Sequence, residues 1–214
     1  MKRSIFPVAA ALALAGCAGD DRPAPMAPPA VDAATMEEAD PFPSTYRVRA
    51  TGRIAIVGAT VLTATGEEFT DGTVLIEGGK IAAVGAALAA PAGYAIVDAR
   101  GKWVTAGVID AHSHLGVWAQ PDSVDALNDV NELTDPNTAQ VWAEHSVWPQ
   151  DPGFDTAREA GVTTLMILPG SGNLFGGRTV TLKNVPSVTM QGMKFPGAPY
   201  GLKIACGENP KRVY

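Results

Sequence analysis

Gly107-Val108-Ile109-Asp110-Ala111-His112-Ser113-His114 begins apolar and ends polar. A buried parallel strand delivers side chains to an active-site mouth in this way. Residues two apart in a strand face the same side, so His112 and His114 project together and Asp110 shares their parity. Two imidazoles at the carboxyl end of such a strand can bite one metal ion. An isolated His-x-His is more often two ordinary histidines than a metal site, so the flanking sequence has to decide. Asp110 is expected deeper on the same face, as a supporting residue.

Downstream, residues 154–160 read as a helix that Asp151 or Asp155 can cap and Gly161 can end. Val162 to Leu168 is a second apolar strand, with Pro169-Gly170-Ser171-Gly172-Asn173 as a loop at its carboxyl end. Residues 179–183 and 201–205 are candidate third and fourth strands. Strand, helix, strand spacing predicts a parallel α/β architecture from 107 to 214. Upstream, short β-branched runs at 54–57, 60–62, 73–77, 80–84, 95–99 and 102–105 predict a small β-sandwich over residues 47–106. Gly78-Gly79 between two of these runs predicts a tight hairpin.

The amino terminus reads as an address. Lys2 and Arg3 precede an apolar run from Ile5 to Leu14, which is shorter than the ~20 residues of a membrane-spanning helix. The run ends in Leu14-Ala15-Gly16-Cys17, which resembles the lipobox of bacterial lipoproteins. Residues 1–16 are then a signal peptide, and Cys17 is the acylated start of the mature chain. A plain secretory signal with an incidental cysteine is the alternative. Residues 17–46 are Ala/Pro-rich and read as an extended tether. The expected location is the bacterial cell envelope, lipid-anchored and facing the periplasm. Ala18 rather than Asp after the cysteine favours the outer membrane.

The composition agrees with a globular chain. Of 214 residues, 46% are hydrophobic and 18% charged, which excludes a disordered or collagen-like chain. A net charge of −6 argues against nucleic acid as a partner. Cys17 and Cys206 are too few for a disulfide framework. With no partner at metal-ligand spacing, Cys206 reads as a buried or inert thiol. His145, in a polar amphipathic stretch, reads as a surface histidine. The glycines at 170–177 lack a following phosphate-loop signature and suit a substrate loop better than an anion cradle.

Taken together, Gly72 to Gly85, Gly107 to His114, Ala160-Gly161-Val162-Thr163-Thr164 and Pro169 to Asn173 resemble the amidohydrolase superfamily, especially its imidazolonepropionase-like branch. Ala106 departs from that pattern, where Pro usually stands. The resemblance implies a (β/α)8 TIM barrel with one or two divalent metals, zinc foremost, at its mouth. His112 and His114 match the two strand-one ligands. The implied reaction is hydrolysis of a C–N bond (amide, lactam or peptide-like) by metal-activated water, on a small molecule or short peptide. No general base can be assigned. Binuclear members also use a carboxylated lysine. Lys203 is the candidate because its neighbours are apolar, a snorkelling surface lysine being the alternative. Lys183 is a weaker candidate. A complete barrel needs about 250 residues. The expectation is therefore a truncated barrel over 107–214: an incomplete chain, inactive alone, from a hydrolytic parent. The alternative is a lipid-anchored binding protein or inactive fragment that keeps the fold. The reading leaves room for an oligomer.

Overall fold

The computed structural model describes residues 40–120 and 128–214. The signal peptide, Cys17 and most of the predicted tether lie outside the described residues. Among the described residues no helix is long and apolar enough to cross a membrane.

Five strands form the first sheet: β1 (Ile54–Leu62), β2 (Glu68–Glu77), β3 (Lys80–Ala86), β4 (Ala95–Asp98) and β5 (Trp103–Thr105). Their order is β3-β2-β1-β4, and β5 also pairs with β1. The two apolar runs predicted separately at 54–57 and 60–62 are one strand. Gly58 sits between them at φ +78°, where the register with β2 shifts. The first half of β1 runs parallel to β4 and the second half parallel to β5. The turn joining β4 to β5 passes over this bulge, and a Cβ on Gly58 would lie 2.6 Å from Arg100 Cγ. Gly78 and Gly79 form the predicted hairpin, both at positive φ, with Glu77 opposite Lys80. Ala59, Val61, Val74 and Ala99 make the buried centre, with Ile56, Phe69, Ile76 and Val104 packed on it. The described strands thus supply one mixed sheet where a two-sheet sandwich is expected.

The second part begins with β6 (Val108–Ser113), followed by a long connection, α1 (Pro152–Glu159) and β7 (Val162–Ile167). β6 and β7 are parallel, as predicted. The helix between them begins as Asp151 dictates. This buried carboxylate accepts from Gly153 N at 2.8 Å, and also from Gln120 N at 3.2 Å and Gly116 N at 3.0 Å. One side chain therefore caps α1 and ties down the segment that leaves His114. Asp151→Ala strips three backbone donors of a charged acceptor. It is expected to cost about 2–3 kcal/mol, more than the ~0.5–2 kcal/mol of a simple N-cap because two further buried donors lose their acceptor, as read by urea denaturation.

Three expectations change here. The strand β6 is not buried: Val108 is 50% and Ile109 70% exposed, because among the described residues β6 is an edge strand paired with β7 alone. The third and fourth strands are not parallel additions. β8 (Phe175–Arg178) and β9 (Val180–Lys183) follow β7 with no intervening helix, so β9 returns antiparallel to β7. Then come α2 (Met190–Met193), β10 (Leu202–Ile204), which pairs antiparallel with β8 in a separate ribbon, and α3 (Glu208–Val213). Finally, the end of the predicted tether is docked. Thr45 N donates to Gln191 O, and Ser44 Oγ to Lys194 O at 2.6 Å.

The core of this part is Val117, Val147, Phe154, Leu165, Ile167, Val180, Leu182, Met190 and Met193. It packs the long connection and α1 against β7 and β9. That fixes the carboxyl ends of β6 and β7 side by side, where Leu168 N donates to Ser113 O at 2.9 Å.

Candidate functional site

His112 and His114 sit where β6 ends, and their rings meet edge to face with centroids 5.4 Å apart. Asp110 Oδ1 accepts from His112 N at 3.0 Å, which makes it a support for that backbone. His114 is half-buried, and its Nδ1 lies 2.8 Å from Leu168 O. A carbonyl only accepts, so Nδ1 carries the proton and Nε2 keeps its lone pair. Burial lowers the His114 pKa, against the opposing pull of the Leu168 carbonyl; the charges of Lys203 and His112 lower it further.

Lys203, on β10, reaches the same place. A cleft of about 340 Å3 is lined by His112, His114, Ser171, Lys203, Cys206 and the start of α3. Lys203 is only 7% exposed, so it is not a snorkelling surface lysine. Its Nζ donates to Pro169 O at 3.1 Å. Desolvation lowers its pKa and so favours the neutral amine. Lys183 is elsewhere: its ammonium faces the Phe195 ring at 4.3 Å and the Tyr46 ring at 5.2 Å. Because β9 runs antiparallel to β7, Lys183 lies opposite Thr164, at the end of β7 away from the histidines.

Cys206 corrects a further expectation, since it is exposed and lines the cleft. The chain leaves β10 there and turns at Gly207 into α3. His145 is exposed, with its ring edge-on to Phe42 at 4.6 Å. In the glycine-rich loop, Gly170 N donates to Val130 O and Gly172 N to Asn131 Oδ1. Those two amides are already used within the fold.

The sequence reading missed a second buried polar cluster. Lys194 and Glu144 form an ion pair at 2.7 Å, with both side chains almost wholly buried. Tyr200 Oη donates to Glu144 Oε2 at 3.1 Å and contacts Lys194 Nζ, which also donates to Phe42 O at 2.6 Å. This cluster clamps residues 42–45 to the second part of the fold.

The donor set fits a divalent metal in part. Two imidazoles share a cleft, one with its tautomer fixed from outside, and a desolvated amine stands beside them. Among the described residues no group of three or more His, Cys, Asp or Glu could hold an ion.

No family model matches the chain. It is 35% identical to the amidohydrolase tasK of Hapsidospora irregularis over 155 residues, which is 67% of this chain and 16% of that protein. A 42-residue stretch is 55% identical to the dihydroorotase of Geobacter sulfurreducens, covering 20% of this chain and 10% of the relative. Among solved structures, an amidohydrolase from Thermotoga maritima superposes with a TM-score of 0.68 at 40% identity. That match covers 75% of this chain and 41% of the other. The chain therefore spans well under half the length of the relatives it matches. The likeness supports the amidohydrolase superfamily, whose members are typically metal-dependent.

Proposed function

We propose that this chain is the front portion of a metal-dependent amidohydrolase that hydrolyses a C–N bond in an amide, lactam or short peptide. The observation that carries the reading is the meeting of His112, His114 and Lys203 in one cleft at the strand ends. His112 and His114 would hold a divalent metal, zinc foremost. Lys203 stands beside them with its amine desolvated, which lowers its pKa in the direction of the neutral form that carboxylation requires. The metal, when bound, supplies the Lewis acidity that polarises the scissile carbonyl and makes water nucleophilic near neutral pH. The chain's own residues orient and shield. Leu168 O holds the His114 ring, Asp110 holds the backbone of His112, and Ser171 and the start of α3 wall the substrate space. The likeness to less than half of the Thermotoga structure supports placing the other ligands and the general base on later strands of a whole barrel.

The test is hydrolysis of a panel of dipeptides and lactams by the protein carrying the whole barrel, before and after chelation. Activity lost on chelation, restored by zinc and abolished in Lys203→Met but not in Lys183→Met supports the reading. Activity indifferent to chelation contradicts it, and zinc bound without turnover of any substrate favours the binding-protein alternative.

The proposal extends to location. Cys17, after Leu14-Ala15-Gly16, is the lipid-anchored residue, which holds the enzyme at the cell envelope. A tagged fatty acid is expected to label the wild type and spare Cys17→Ser; equal labelling of both would contradict the anchor.

A further inference from the structure

The two groups that flank the cleft are held by consecutive carbonyls of one turn. Leu168 O takes the His114 ring at 2.8 Å, and Pro169 O takes the Lys203 amine at 3.1 Å. A backbone turn can orient both only if it is itself immobile. We infer that Asn173 and Asn131 are the positioning residues of this site. They act through the turn 168–173 to set the His114 tautomer and the placement of Lys203.

The turn is fastened by two side-chain amides and by a backbone bond between them. Asn173 is 1% exposed and its Nδ2 reaches Glu132 O, Asp135 O at 2.9 Å and Tyr214 Oη at 3.0 Å. Asn131 Oδ1 accepts from Gly172 N at 3.1 Å, and Gly170 N donates to Val130 O at 2.6 Å. Residues 130–135 thus form a fixed backing to which the turn is pinned. Asn173 Oδ1 is buried without a hydrogen-bond partner among the described residues. Such an orphaned acceptor is destabilising, so hydrogen-bond satisfaction alone does not explain an amide here. Its donor side, which joins the turn to its backing, does. Outer-shell groups of this kind change metal affinity roughly 10–100-fold. In that consequence the inference rests on the proposed metal reading; the tautomer claim stands without it.

The experiment uses the full 214-residue chain with 15N-labelled histidine, metal-free and at a pH where imidazole is neutral. Long-range proton–nitrogen correlations read each tautomer, with His112→Gln to assign the signals, and a zinc titration follows. In the wild type His114 is expected to hold its proton on Nδ1. Asn173→Ala should mix the tautomers and weaken zinc binding about tenfold. The less buried Asn131→Ala should move both readouts in the same direction, and it decides the question alone if Asn173→Ala does not fold. Asn184 is the control: it too is buried, with Nδ2 bonded to Phe154 O and Val162 O, and among the described residues its Oδ1 is unpaired and it makes no bond to the turn. Asn184→Ala should lower stability and leave the His114 tautomer intact. An unchanged His114 tautomer in a folded Asn173→Ala or Asn131→Ala chain, or an equal change in Asn184→Ala, overturns the inference. The expected tautomer shift in a chain that binds no zinc would uphold the positioning role, which is independent of the metal reading tested by chelation of the whole-barrel protein.

Discussion

Replacing His112 or His114 with alanine in the whole-barrel protein is expected to lower kcat/KM at least about a thousandfold, equivalent to about 4 kcal/mol of transition-state stabilisation. Each imidazole is half of the pair that the described residues offer to a metal, so losing either leaves a coordination sphere too poor to keep the ion. The loss should appear in kcat/KM and in bound zinc together. His145→Ala is the internal comparison, because that ring stands edge-on to Phe42, does not line the cleft and should change neither. A His114→Ala enzyme with full zinc and near-normal turnover would remove His114 from the site.

The largest effect on stability is expected from Lys194→Met. The Glu144 carboxylate is buried, and the Lys194 ammonium lies 2.7 Å from it. Removing the cation leaves a charge in a low-dielectric interior, a change that costs about 3–5 kcal/mol. The second variant in the series, Glu144→Leu with Lys194→Met, removes both charges and should regain most of that loss, since a buried ion pair often does no better than apolar side chains of similar volume. Denaturant midpoints for the two single variants and the double variant measure the coupling. Additive losses would show that the pair is not the clamp described. The same variants should also expose residues 42–45 to proteolysis, because Lys194 binds Phe42 O through its amine and Ser44 Oγ through its carbonyl.

Local pattern carried the sequence reading where local chemistry decides the outcome. The Gly78-Gly79 turn, the Asp151 cap and the parallel pair β6 and β7 follow from turn residues, capping and periodicity within a few positions. Lys203 is legible because the family resemblance asks for a lysine on a barrel strand and Lys203 stands among the apolar Leu202, Ile204 and Ala205. Lys194, between Met193 and Phe195, also stands among apolar neighbours, but its pairing with Glu144, fifty positions away, needs the fold. The antiparallel return of β9 was not legible, because a short apolar run does not state its direction. That direction depends on the helix-free connection after β7. Nor could spacing show the docking of residues 42–45, whose partners lie about 150 positions away. The exposure of Cys206 depends on the turn at Gly207, which no apolar pattern marks.

The most direct measurement is X-ray absorption at the zinc edge on the metal-loaded 214-residue chain, wild type against His112→Ala/His114→Ala. The account predicts a wild-type shell containing two imidazole nitrogens at about 2.0–2.1 Å, and no specifically bound zinc in the double variant. A wild-type shell without imidazole, or the same shell in both proteins, would contradict it.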